Sequence, residues 1–93
     1  LDEKYVQHPN FGLLYSLCTL DANSALFTTL YAQRLFFLVS MQEGRTLNFE
    51  PKTRAETRNL LENRLRAIKR SPMTAALKEE MELLEKYYKQ LFI

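Results

Sequence analysis

The sequence predicts an α+β chain: a small, twisted, antiparallel β-barrel of about five strands over residues 1–52, then a two-helix hairpin over residues 53–93. Three observations lead there. Composition shifts near Pro51: eight of the eleven aromatic residues precede residue 50, whereas residues 52–70 hold seven basic and two acidic side chains. Short apolar runs separated by turn clusters fill the first part, which is strand patterning. Leucines at steps of three and four fill the second, which is helix patterning. At 93 residues, 46% of them hydrophobic, the chain is expected to fold as one small domain or as one module plus an appendage. A chain of that size hides only about 60–65% of its unfolded surface.

A brief strand is expected around Lys4–Gln7, ahead of His8-Pro9. Phe11–Leu20 is uncharged and carries four Leu with one Tyr and one Cys, so it reads as the second strand. Asp21-Ala22-Asn23-Ser24 is a turn, because Asp, Asn and Ser side chains bond to nearby backbone. Ala25–Ala32 mixes Thr, Phe and Tyr, which suit a pleated surface. Arg34–Met41 is the next strand. Gln42-Glu43-Gly44 is a second turn, with Gly44 free to take positive φ. A short strand over Arg45–Glu50 should stop at Pro51. This spacing suits a small barrel of the Tudor-like (SH3-like) kind.

The helices are expected at about 54–70 and 72–91. Thr53-Arg54-Ala55-Glu56 fits a capping box, in which Thr and Glu side chains each satisfy a backbone N–H of the first turn. Leu61, Leu65 and Ile68 recur at i, i+4, i+7. Ser71-Pro72 ends that helix and opens the next, since proline suits a first helical position. Met73, Leu77, Met81, Leu84, Tyr88 and Leu91 form a second stripe, and the short linker makes the helices antiparallel neighbours.

The strand patterns are apolar on both faces. Leu35, Phe37 and Val39 point one way, and Phe36 and Leu38 the other. In the second strand Leu13, Tyr15 and Leu17 share one face, and Leu14, Cys18 and Leu20 the opposite one. One face fills the barrel; the other needs a cover, either the helical hairpin or a partner protein. Tyr31 and Arg34, flanking Ala32-Gln33, are residue types that anchor interfaces.

No catalytic or metal-binding set emerges. One His and one Cys cannot supply the three or four ligands that zinc takes (about three at least), and no base is visibly paired with Cys18. His8, before Pro9 at a turn, reads as solvated or structural. No glycine-rich phosphate loop occurs, so neither enzyme nor cofactor is expected. The longest apolar run, Leu35–Val39, is far short of the roughly 20 residues of a membrane span. Leu1-Asp2-Glu3-Lys4 lacks the order of a secretory signal, and the missing initiator Met suggests a start upstream. A single cysteine fits a reducing, cytoplasmic setting. Arg58, Arg66 and Arg70 lie along one helix face with Lys69, so a small nucleic-acid-binding module is the alternative reading. Glu62, between Arg58 and Arg66, is spaced for ion pairs instead.

His8–Tyr15 (HPNFGLLY), residues 30–39 (LYAQRLFFLV) and Asn63–Arg66 (NRLR) closely resemble the PipX family, the PII-interacting proteins of cyanobacteria. The resemblance runs over nearly the whole chain and implies a Tudor-like domain followed by two helices. It further implies a non-enzymatic nitrogen-status adaptor, monomeric when free. Such an adaptor binds the trimeric PII signal protein when 2-oxoglutarate is scarce. Otherwise it binds the 2-oxoglutarate-loaded NtcA dimer as a transcriptional coactivator, without touching DNA. Family interface positions fall on Tyr31, Gln33, Arg34, Leu35 and Phe37 as a shared protein-binding surface, with Tyr5 and Phe11 as rim contacts or contacts to the PII T-loops. A structural reading stands beside these: Tyr31 at a barrel edge, Leu35 and Phe37 packed under the helices, and Arg34 a solubilising turn residue.

Overall fold

The computed structural model describes residues 1–30 and 35–93. Five strands pair in sequence order, each antiparallel to the next: β1 (Tyr5–His8), β2 (Gly12–Asp21), β3 (Ser24–Thr29), β4 (Phe36–Met41) and β5 (Leu47–Lys52). They form a curled half-barrel sheet, consistent with a Tudor-like barrel. Two helices follow, α1 (Arg54–Arg70) and α2 (Ala75–Phe92). The chain divides into two units, Leu1–Arg54 and Ala55–Ile93.

In the first unit register decides which side chains meet. Phe27 lies opposite Phe37, Ala25 opposite Val39, and Val39 opposite Phe49. Val6, Leu14, Ala25, Phe27, Phe37 and Val39 form the core cluster, and Leu1, Leu35, Leu47 and Phe49 pack against it. Leu14, Phe27 and Val39 are fully buried. Residues of the opposite face are buried too: Cys18, Leu26 and Phe36. The alternation expected for β2 needs correction. Ser16 pairs with Phe27 but Cys18 pairs with Leu26, so Leu17 is an extra residue, a bulge. The bulge inverts the facing of Cys18 and Thr19 relative to the residues before it, which puts Leu14 and Cys18 on opposite sides, and a second register shift follows between Thr19 and Asp21.

Turn chemistry sets the strand ends. Asp21 Oδ1 accepts from the Asn23 N–H at 2.8 Å. That bond, with a further one from the Ser24 side chain, holds the Asp21 carboxyl below its ordinary value. The last turn is a single 3-10 turn, Glu43–Arg45, in which Gly44 (φ 75°) and Arg45 (φ 63°) are both left-handed. Arg45 is therefore not the start of a strand; β5 begins at Leu47 and continues through Pro51 to Lys52. Proline is tolerated there because β5 is the last strand of the sheet and one of its sides carries no ladder. Strand β3 likewise stops at Thr29 and β4 begins at Phe36, both short of the expected bounds.

Gly12 (φ 76°) closes the β1–β2 turn, and a Cβ there would meet no atom within 4 Å. Its requirement is conformational rather than steric crowding. Gly12→Ala is expected to destabilise the first unit by about 1 kcal/mol, seen as a lower urea midpoint at unchanged slope.

In the second unit α2 begins at Ala75 rather than Pro72. The Thr74 hydroxyl accepts from the Leu77 N–H at 3.1 Å and caps the helix. A capping hydroxyl outweighs proline's tolerance of the first turn, since only the former satisfies an orphan donor. Leu61 and Ile68 of α1 and Leu84 and Leu91 of α2 are buried, whereas Met73 is exposed. Arg64 grips Glu80 through two bonds, Nε–Oε2 at 2.7 Å and Nη2–Oε1 at 2.9 Å. Arg58 Nε donates to the Tyr88 hydroxyl at 3.0 Å, and that hydroxyl donates to Glu62 Oε2 at 2.9 Å. Partners on α2 fall in number as those on α1 rise, so the helices run antiparallel. Arg58 also stands 3.7 Å from Glu62. Arg58 of the basic face is thus matched by a carboxylate on its own helix, and Arg64, off that face, by one on α2.

Candidate functional site

Antiparallel order places the β1–β2 turn and the β3–β4 connection at the same end of the sheet. Strand β2 starts at Gly12 where β3 finishes at Thr29, and the Leu30 N–H donates to the Leu13 carbonyl at 3.1 Å. The sequence-predicted residues Phe11 and Leu35 flank this end, while Tyr31, Gln33 and Arg34 lie outside the described residues.

The turn is organised by His8. Its Nδ1 accepts from the backbone N–H of Asn10 at 3.0 Å and of Phe11 at 3.2 Å. An imidazole nitrogen that accepts two bonds carries no proton, so the ring proton is on Nε2. The His8 ring is buried and wedged among three phenylalanines, with centroids 5.0 Å from Phe11, 4.8 Å from Phe37 and 4.7 Å from Phe49. Phe11 in turn lies 5.8 Å from Phe37. Tilted and edge-on contacts of this kind suit the charge distribution of aromatic rings.

One end of this stack is closed and the other open. Phe37 is 4% exposed, whereas Phe11 is 50% exposed. Half of a large ring therefore faces water at a fixed position. At the same end of the sheet Leu30, bonded through its N–H to Leu13, is 39% exposed. Leu35 is half-buried against the core cluster. Its backbone is pinned: the Leu35 carbonyl accepts from Thr28 Oγ1 at 2.9 Å and from the Thr29 N–H at 3.1 Å. Its N–H donates to Thr29 Oγ1 at 3.2 Å. The buried threonines Thr28 and Thr29 thus tie both ends of the connection together.

The structure brings Phe11, Leu35 and Phe37 into one cluster. Tyr5 stands apart. It pairs with Tyr15 across β1 and β2, on the face opposite Val6 and His8, and is 51% exposed. Phe37 is a packing residue whose surface is spent on its neighbours. His8 and Phe49 belong to the cluster without having been singled out for it. A histidine followed two and three residues later by unpaired turn amides is the local signal that would have found the first. Nothing local marks Phe49, which reaches the cluster through the β4–β5 register. This arrangement leaves Phe11, at the outer end of the aromatic stack, half-exposed to solvent. Among the described residues no group of three or more His, Cys, Asp or Glu could hold a metal ion, and no helix is long and apolar enough to cross a membrane.

The family model described as PipX, PII-interacting protein X, matches residues 2–92. The chain belongs to the PipX family. A PipX-family member is a PII-interacting protein, and PipX is a regulatory family rather than an enzyme family. No curated protein matches the chain.

Proposed function

We propose that this PipX-family chain is a cytoplasmic adaptor that carries nitrogen status between two partners. It binds PII when 2-oxoglutarate is low, and 2-oxoglutarate-loaded NtcA, as a coactivator, when it is high. The family match over residues 2–92 carries this reading. The geometry supports it through the half-exposed Phe11, held at the end of the sheet from which Leu30 and Leu35 lead covalently to Tyr31, Gln33 and Arg34. In this account Phe11, Tyr31, Gln33, Arg34 and Leu35 touch the partner. Phe37 braces them from below, and Tyr5 is a rim contact on the neighbouring face.

Partners that share one surface exclude each other, so PII acts as a sink for the free monomer. Coactivation then needs only that the adaptor bind the active conformation of NtcA more tightly than the inactive one. The coupling is reciprocal: the adaptor tightens 2-oxoglutarate on NtcA by the factor with which 2-oxoglutarate tightens the adaptor. The metabolite has no need to touch this chain.

A pull-down against PII and NtcA, each with and without 2-oxoglutarate and ATP, tests this directly. Capture by PII should fall and capture by NtcA should rise when the metabolite is added. Responses of the same sign would overturn the reading. Tyr31→Ala should weaken capture by both partners without changing the circular dichroism of the chain. Leu35→Ala is a poorer probe, because its side chain packs on the core cluster.

A further inference from the structure

We propose that His8 is a positioning residue for partner docking, whose Nδ1 fixes the turn that presents Phe11. The proposal rests on the reading of Phe11 as a contact residue. It explains an otherwise costly choice. The pocket among Phe11, Phe37 and Phe49 is aromatic on each side where ring contacts are made, and a phenylalanine would fill it with no polar atom to desolvate. Burying an imidazole there is favourable only because its acceptor is satisfied. The satisfying donors are the amides of Asn10 and Phe11. Histidine therefore supplies one property that phenylalanine lacks: a bond to the backbone of the residue whose ring faces water.

That bond acts at Phe11 itself. With the Phe11 N–H held at 3.2 Å from Nδ1, the peptide plane leading into Phe11 is anchored, and its ring rests 5.0 Å from the His8 ring. A contact residue that is already oriented forfeits less freedom on binding. The His8 side chain itself is 9% exposed, so its influence on a partner runs through Phe11.

The test is a double-mutant cycle read by affinity for PII without 2-oxoglutarate, with every variant held at a temperature where circular dichroism shows it folded. His8→Phe keeps the ring and removes the acceptor. It should weaken binding about tenfold, Phe11→Ala should do the same, and the double variant should bind no more weakly than Phe11→Ala alone. His8→Asn places Oδ1 as many bonds from the backbone as Nδ1. It should restore the hydrogen-exchange protection of the Asn10 and Phe11 amides and bring affinity back to within about threefold of the starting chain. If His8→Phe does not fold, His8→Gln, whose acceptor lies one bond farther out, takes its place in the cycle. Wild-type binding by His8→Phe would overturn the proposal, and so would an equal loss in both backgrounds. So would an Asn variant with both amides protected that binds as weakly as His8→Phe. Wild-type binding by Phe11→Ala would overturn the contact reading itself, which separates the two failures.

Discussion

Phe37→Ala is expected to cost about 3–5 kcal/mol, the range for removing a buried phenylalanine side chain. The ring is 4% exposed and touches His8, Phe11 and Phe49. Its strand position also faces Phe27, which is fully buried. At about 0.05–0.15 kcal/mol per residue, a unit spanning Leu1–Arg54 holds only roughly 3–8 kcal/mol. The substitution therefore removes much of what keeps the sheet folded. Urea unfolding followed by near-ultraviolet circular dichroism should show a midpoint collapsed toward zero denaturant. Loss of partner binding in this variant then reports unfolding, not a lost contact. Phe37→Leu separates the two, since a partly filled site costs less than an emptied one. If Phe37 only braces the surface, the leucine variant keeps its affinity for PII. A folded leucine variant that no longer binds would show that the ring reaches the partner.

How much of this was legible beforehand differs between residues for physical reasons. Strand β4 stood out because an uninterrupted apolar run ending at a Gly-containing turn has few alternatives, and the five-strand order follows from short turns joining neighbours. The bulge at Leu17 left no trace in the sequence. No glycine marks it, and Leu13, Leu14, Leu17 and Cys18 are apolar in either phase, so the pattern does not reveal where the alternation slips. Pro72 marks the region where α2 opens but not its first turn, which the Thr74 cap sets two residues later. The family resemblance marks Phe11 and Phe37 alike as expected contact residues and says nothing of burial. Only the register, with Phe37 across from Phe27 and Phe11 at an open turn, assigns one to the core and the other to the surface. His8 was read by its isolation, since a lone histidine has no visible chemical partner; its partners turned out to be backbone amides, which every sequence contains and none displays.

Arg64→Ala should be the most damaging single change in the hairpin outside its apolar stripe, at about 2 kcal/mol. The two side chains are 30% and 28% exposed, and their bonds are short and paired. Removing the arginine strands a partly buried carboxylate and loses both bonds, a larger penalty than an ordinary surface pair carries. Arg64→Lys should recover only part of the loss, because an ammonium lacks the planar fork that meets both carboxylate oxygens. Arg58 and Glu62 provide the internal comparison. They sit one helical turn apart at 3.7 Å with the arginine 53% exposed, so salt should screen them while leaving Arg64–Glu80 largely intact. Thermal unfolding at 222 nm in low and high salt measures both. A cycle of Arg64→Ala and Glu80→Ala should return a coupling of about 1–2 kcal/mol that survives high salt. A coupling near zero would mean that the two bonds between Arg64 and Glu80 add nothing to the stability of the hairpin.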